Sequence, residues 1–529
     1  MNQKQATPRD AAAVILLNQS LTEVLWAQRN PNLAFLGGYH AFPGGKLETT
    51  DAETKVFNCK DAELAKFIAC AVREAFEEVG VLLARNGEKL TRGQRASLHD
   101  DLISGRFTFA EILAHWNLWI DAEDFIYTGF WTTPAFSPVR FKTRFFLAVC
   151  PPKQEPYAAI SELQNVEFIK PRDALRRWEK SEVLIAPPVL LSLKELAADV
   201  RESREQENTN LTIQNKGTKS EIVRFPPSSF HFSEYLSLCA EKLLKKSQQS
   251  DGQIKYIELN PRIVCFPLKT DTLPPSTHTN CFVVGREEFI IVDAAAREKA
   301  EQDALHKLID SFVEKGFVCQ RIIISHLHQD HFGGETILQR HLSDKFGLRV
   351  PLAAHRLTAE SLPGEIKIDR FIEGDEVIQL KDKTGKIFEL KVLHTPGHAR
   401  GHLCFYDEES GFLLASDNVV GSSSVIIAPP EGNMRDYLDS LEKMKNLPNL
   451  KFLCGSHGAA HFDARTKIDE YIEHRLRREL EILSAVQEGA LKTDEIVEKV
   501  YTDVSPELYQ LAEKSVEAHL EKLKMDGKI

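Results

Sequence analysis

The amino-acid sequence predicts a multidomain chain of α/β and α+β units, and three observations carry that prediction. At 529 residues it exceeds what one hydrophobic core supports. Residues 10–195 and 255–460 each alternate short apolar runs with helical patterns, and a polar stretch parts them. The last segment, 466–529, switches to apolar residues at helical spacing only.

Hydrophobic content of 43% and charged content of 27% are ordinary for globular protein. A net charge of −11 excludes a chain that coats nucleic acid or an anionic membrane with its whole surface. Nine scattered cysteines form no C-x-x-C pair, so no disulfide framework is expected and a reducing compartment is favoured. No run approaches the ~20 apolar residues of a membrane helix, and MNQKQATPRDAAAVILL is too short in its apolar part for a secretory signal. A cytoplasmic protein without a membrane partner is the default expectation.

In the N-terminal part, AAAVILL, EVLWAQR, GFWTTP and TRFFLAVC read as strands, and KFIACAVREAFEEVGVLL and PRDALRRW as helices. RESREQENTNLTIQNKGTKSE lacks periodicity and reads as linker, followed by a helix over FSEYLSLCAEKLLKK. Beyond residue 255, RIVCFPL, NCFVVG, EFIIVD, RIIISH, FELKVLH, GFLLASD and LKFLCGSH are strands. ELEILSAVQEG, TDEIVEKVY and LAEKSVEAHLEKLKMDGKI make a small three-helix unit. The expected boundaries are 1–200, 201–252 for linker and helix, 253–462 and 463–529.

Glu74, Glu77 and Glu78 stand at i, i+3 and i+4, so they share one helix face, while Val72, Ala75, Phe76 and Val79 form the core face. Most glutamate clusters are solvated faces. This one has no lysine to offset its repulsion and follows a Pro43-Gly44-Gly45 turn. Converging carboxylates suit Mg²⁺ or Mn²⁺. FPGGK at 42–46 with REAFEEVGV at 73–81 resembles the Nudix box. The resemblance implies an α/β/α sandwich, metal ligation by Glu74, Glu77 and Glu78, orientation of the carboxylates by Arg73, and carbonyls offered by Gly44 and Gly45. Glu77 and Arg73 are the residues it assigns to catalysis. In the compact form of the box the glycine lies half as far from the arginine, and a glutamate occupies the position where Ala65 stands here. The longer gap, with WTTPAFSPVRFKTRFFLA and VLIAPPVLLSL, is similar to the long coenzyme A diphosphatase-like branch. That implies cleavage of a pyrophosphate in coenzyme A or an acyl-CoA. A further acidic base is implied, for which Glu162 and Glu167 are the candidates.

RIIISHLHQDHFGG at 321–334 runs an apolar strand into three histidines and an aspartate. A lone histidine is usually structural, but four such groups at a strand end are the ligands Zn²⁺ takes in the absence of thiolates. VLHTPGHARGH adds His398, FLLASDN adds Asp417 and FLCGSHG adds His457, each after an apolar run. The ensemble resembles the metallo-β-lactamase superfamily, an αββα sandwich. The resemblance implies one zinc on His326, His328 and His398, another on Asp330, His331 and His457, and Asp417 bridging. Asp330 is also assigned to catalysis, Asp293 to orienting the ligands from behind, and His394 and His402 to support, with His402 a possible substrate contact. Zinc-activated water implies hydrolysis of a thioester, lactone or phosphodiester. NVVGSSSVIIAPPEGNMRDYLDSLEKM and the C-terminal helices are similar to the β-lactamase-like 2 group, whose winged-helix-like tail accompanies single-stranded RNA cleavage in some members. Ser422, Ser423 and Ser424 are read as a phosphate contact or a turn.

The whole chain is thus expected to be a bifunctional hydrolase acting on CoA-type or nucleotide-type small molecules. An RNA-processing protein with a dizinc single-stranded endoribonuclease is the alternative.

Overall fold

The computed structural model describes residues 6–33, 35–135, 137–198, 229–421, 424–490, 492–502 and 504–529. The polar stretch after residue 200, and Ser422 and Ser423, lie outside the described residues. The chain falls into two compact units that meet in sequence at residues 255 and 256.

The first unit is built on an eight-stranded mixed sheet. Its central strand, Arg9–Leu17, runs parallel to Phe141–Val149 and antiparallel to Gly44–Lys46 and Val24–Arg29. Both faces of that strand are covered, which is why it reads as an unbroken apolar run rather than an alternating one. Ala12, Val14 and Leu16 meet Phe67, Ala71 and Ala75 of helix Ala62–Val79. Ala13, Ile15 and Leu17 meet Trp178, Leu193 and Leu243 on the opposite face. Helix Ala62–Val79 starts where Asp61 accepts the Glu63 and Leu64 N–H groups. It stops at Gly80, whose φ of 68° only glycine adopts readily, so the helical reading of VGVLL was too long.

Helix Ser229–Gln249, grouped with the linker on sequence grounds, buries Cys239, Ala240 and Leu243 in this core. Ser247 Oγ donates to the Phe130 carbonyl at 2.7 Å and accepts the Phe130 N–H at 3.0 Å. Pro43 sits at a bend, and the two glycines after it open a short strand, Gly44–Lys46, rather than an open turn. Gly44 pairs with Ala13, and a Cβ there would sit 2.4 Å from the Ala12 carbonyl oxygen.

The second unit carries a seven-stranded and a five-stranded sheet. They are tied by the Leu403 N–H donating to Ser325 O and by Asn280 Nδ2 donating to Gly455 O. Helices Lys299–Val313 and Glu335–Phe346 cover one sheet, and Met434–Lys445 and Ala464–Gln487 cover the other, giving an αββα sandwich. Ala464–Gln487 belongs to two cores. Ala464, Ile468, Tyr471 and Ile472 pack on the sandwich, while Ile482 and Ala485 pack with Thr493–Val500 and Tyr509–Met525 in the C-terminal helical cluster. The expected boundary at 463 therefore falls at the start of a shared helix.

All nine cysteines are free, and eight are buried. No helix among the described residues is long and apolar enough to cross a membrane.

Leu243→Ala removes a side chain buried against the first sheet and is expected to destabilise that unit by about 2–4 kcal/mol. The check is a lowered urea midpoint followed by tryptophan fluorescence.

Candidate active sites

In the second unit, strand Val318–Ile324 delivers Ser325 and His326 to the sheet edge, and a single 3₁₀ turn, Gln329–His331, folds the next ligands back. Gly334 lets this loop press against the segment that follows strand Glu288–Val292, because a Cβ would meet Ala294 O at 2.4 Å. Asp293 follows that strand with a left-handed φ of 58°, a conformation aspartate tolerates. Its Oδ1 accepts the Ser325 N–H at 2.8 Å, and its Oδ2 lies 2.9 Å from His331 Nδ1. That contact leaves His331 Nε2 facing inward.

The other imidazoles are aimed the same way. His398 Nδ1 donates to Ile426 O at 2.9 Å, and His457 Nδ1 donates to His278 O at 2.8 Å. His326 Nδ1 lies 3.0 Å from Ser325 Oγ, and its Nε2 lies 3.1 Å from His328 Nδ1. Asp417 sits among them and divides its oxygens. Oδ2 is 3.6 Å from His398 Nε2 and 3.9 Å from His326 Nε2, whereas Oδ1 is 3.4 Å from both His331 Nε2 and His457 Nε2. Asp330 Oδ2 lies 3.4 Å from His457 Nε2 and 3.8 Å from His331 Nε2.

Distances of this size are long for hydrogen bonds. They match the ~3.4 Å between neighbouring ligands on a tetrahedral ion with bonds near ~2.1 Å. His331 Nε2, His398 Nε2 and Asp417 Oδ1 are buried without a hydrogen-bond partner among the described residues. Orphaned donors and acceptors converging in a buried pocket fit divalent cations. Two sets meet the spacing, His326, His328, His398 and Asp417, and Asp330, His331 and His457. Burial pushes Asp417 up, but the His457 and His331 imidazoles outweigh it and hold the carboxyl well below its usual range. Burial and His328 drive His398 down to about 3, so its lone pair is free to bind.

His402 is fully buried, with Nδ1 3.0 Å from Thr395 Oγ1 and Nε2 accepting the Asp417 N–H at 3.1 Å. Neither ring nitrogen is left for a substrate, so the substrate-contact option gives way to a grip on the Asp417 backbone. His394 lies away from the ligand sets, its Nε2 donating to Arg400 O and its ring stacked 4.2 Å from His355. Ser424 is exposed.

In the first unit, Glu74 and Glu77 share Arg73, and Glu78 turns to the backbone of Gly44. Arg73 Nη1 reaches Glu74 Oε1 and Glu77 Oε2, each at 2.9 Å. Its other face is held by Asp51, at 2.8 Å to Nε and 3.1 Å to Nη2. Asp51 was not singled out in the sequence, and it lies inside the insertion that stretches the box. Supplied from a 3₁₀ turn, Thr49–Ala52, it gives the guanidinium the carboxylate that Ala65 cannot. Glu78 Oε2 accepts the Gly44 N–H at 2.8 Å, and the Glu74 carboxylate lies where a Cβ on Gly45 would be, 2.5 Å away. The two glycines thus cradle two of the three acids. Burial drives Glu78 to about 8, helped by Glu74, and Glu74 to about 7 in spite of Arg73. Carboxylates crowded beyond what one guanidinium neutralises fit an oxygen-seeking divalent cation.

Of the two candidate bases, Glu167 is committed to Arg177 at 2.8 Å and to Trp26 Nε1 at 3.2 Å. Glu162 is exposed and close enough to raise the Glu78 carboxyl.

Three family models match the chain. Residues 61–196 match the NUDT19 Nudix domain, 275–457 the metallo-beta-lactamase superfamily, and 493–529 the beta-lactamase associated winged helix domain. A beta-lactamase-like protein 2 homolog of Caenorhabditis elegans is 30% identical over 208 residues, covering 39% of this chain and 65% of its own length. An atrochrysone carboxyl ACP thioesterase of Pseudocercospora fijiensis is 25% identical over 308 residues, covering 56% of this chain and 84% of its own. Among solved structures, a NUDIX hydrolase from Alicyclobacillus acidocaldarius matches 36% of this chain and 92% of its own at 30% identity, with a TM-score of 0.33.

Asp51→Ala strips the buried side of Arg73 and is expected to destabilise the first unit by about 3 kcal/mol, while Asp51→Glu retains part of that loss. Denaturant titration of both variants checks the order.

Proposed function

We propose, for a chain that joins a Nudix domain to a metallo-β-lactamase domain and a winged-helix domain, a bifunctional metal-dependent hydrolase. The Nudix half cleaves a pyrophosphate in coenzyme A or an acyl-CoA, and the metallo-β-lactamase half cleaves a thioester. One observation carries the second assignment: Asp417 faces two histidine groups with separate oxygens, the arrangement two ions sharing a carboxylate require. Imidazoles with carboxylates favour Zn²⁺, held by His326, His328 and His398 on one side of Asp417 and by Asp330, His331 and His457 on the other. Glu74, Glu77 and Glu78 favour Mg²⁺ or Mn²⁺. When bound, such ions polarise the bond under attack and acidify water.

The chain's own groups do the rest. Asp293, Ile426 O and His278 O fix which nitrogen of His331, His398 and His457 faces inward. Asp330, held ionised by His331 and His457 against its burial, is the carboxylate we assign to catalysis as well as to ligation, its Oδ2 3.4 Å from His457 Nε2. Arg73 keeps Glu74 and Glu77 apart at a set spacing, and Glu162 is the base we favour over Glu167. The thioester is chosen over a phosphodiester because the Pseudocercospora relative is named a thioesterase and because CoA chemistry then unites the two halves.

The full chain is to be offered CoA, acyl-CoAs, nucleoside diphosphate derivatives and single-stranded RNA. His326→Ala is expected to abolish thiol release from acyl-CoA and leave pyrophosphate cleavage intact. Glu77→Gln is expected to do the reverse, lowering pyrophosphate cleavage by roughly 10²-fold or more, the scale of losing one charge-stabilising group. RNA cleavage lost in His326→Ala, with no thiol released from any acyl-CoA, overturns the thioesterase reading. Undiminished pyrophosphatase activity in Glu77→Gln overturns the Nudix assignment.

A further inference from the structure

The backbone that follows Asp417 touches the ligand set twice more. The Gly421 N–H donates to the carbonyl of His457 at 2.7 Å. The Ile426 carbonyl accepts His398 Nδ1–H at 2.9 Å and so determines that Nε2, not Nδ1, carries the inward lone pair. Each contact lies one residue from a point where helix Ala464–Gln487 grips the same backbone. Tyr471 Oη donates to Val420 O at 2.7 Å and accepts the Val420 N–H at 3.2 Å. One helical turn later, the Arg475 Nη2 donates to Val425 O.

Neither side chain is a casual surface contact. Arg475 is 2% exposed and Tyr471 8%. The Arg475 guanidinium also lies 5.5 Å from the ring of Tyr437, whose hydroxyl donates to Asn418 O at 2.7 Å, next to Asp417 itself. A charged donor on a buried carbonyl is roughly twice as strong as a neutral one. The i, i+4 spacing puts both donors on one helix face. That helix continues into the core of the C-terminal helical cluster, so a rigid element spans from the cluster to the ligands.

We propose that Tyr471 and Arg475 are positioning residues for the metal centre, which hold Val420 and Val425 and thereby fix the aim of His457 and His398. The C-terminal helical segment then acts as a structural part of the metal site. The proposal rests on the reading of His398 as a metal ligand, and the test separates the two.

Zn²⁺ binding to the full chain is measured by competition with a chromophoric chelator, and Co²⁺ is used as the spectroscopic probe. The variants are Arg475→Met, Arg475→Lys, Tyr471→Phe and His398→Ala. Arg475→Met is expected to weaken metal binding about 10- to 100-fold, the usual effect of removing a group that orients a ligand. It is also expected to shift the Co²⁺ ligand-field bands. Arg475→Lys, which keeps a cationic donor, recovers much of the affinity, and Tyr471→Phe gives a smaller loss. Pyrophosphate cleavage by the other unit of the same molecules stays at the wild-type level, and an unchanged far-UV circular dichroism melt reports that the substituted unit is folded. Should Arg475→Met fail to fold, Tyr471→Phe and Arg475→Lys carry the test, since both keep the packing. Wild-type metal affinity and an unchanged Co²⁺ spectrum in the Arg475 variants and Tyr471→Phe overturn the proposal alone. Wild-type binding in His398→Ala overturns the ligand reading and the proposal together.

Discussion

The second unit is organised around one carboxylate, Asp417, that faces four imidazoles at the edge of a sandwich. Burying a carboxylate costs several kcal/mol unless opposite charge surrounds it. Here the nearby imidazole nitrogens stand at contacts of 3.4–3.9 Å, too long to satisfy one another by hydrogen bonding. The surrounding backbone spends its polar groups on aiming these rings and holding the carboxylate: His278 O takes a nitrogen of His457 and Ile426 O one of His398, while the Asp417 N–H is held by His402. Every such contact comes from the end of a strand or from the loop that follows it. Strands supply the rigidity, and loops supply the chemistry.

The first unit solves a related problem with the opposite charge. Three glutamates on one helix face repel one another, and a single guanidinium cannot neutralise them. Asp51 anchors that guanidinium from behind, and Gly44 and Gly45 let the carboxylates come against the backbone of a neighbouring strand. The close approach is possible only without a Cβ. The same two glycines therefore serve the sheet pairing and the acid cluster at once.

In both sites a set of orienting groups stands behind the groups that face the pocket. For the imidazole set, Asp293, Ser325, Thr395 and His402 stand behind the candidate ligands, and Tyr471 and Arg475 grip the backbone beside them. For the carboxylate set, Arg73 and Asp51 take that place. A set of ligand distances near ~3.4 Å tolerates little drift, so the orienting groups decide whether the arrangement is ready before any ion arrives.

What could be read from the sequence was local. His326, His328, Asp330 and His331 fall within six residues after an apolar strand, and Glu74, Glu77 and Glu78 share a helix face by period alone, so spacing exposes them. His398, Asp417 and His457 each follow an apolar strand, which made their gathering at one sheet edge a fair inference. The alternation of strands and helices was legible from runs whose periods of 2 and 3.6 survive in isolation, whereas the α/β/α and αββα layering was implied by the resemblance of the motifs. What spacing cannot carry is the company each residue keeps across the fold. Asp51 reaches Arg73 through an insertion with no pattern of its own. His402 looked available in a histidine-rich loop until folding buried it beneath Asp417. Helix Ser229–Gln249 looked like part of a linker, and only the groove beside Phe130 made it core. Tyr471 and Arg475, some fifty residues beyond the backbone they hold, look in sequence like one more turn of an amphipathic helix. Candidate ligands are legible in short motifs that survive in the chain, whereas their aim depends on hydrogen bonds between distant segments and exists only once the tertiary structure has formed.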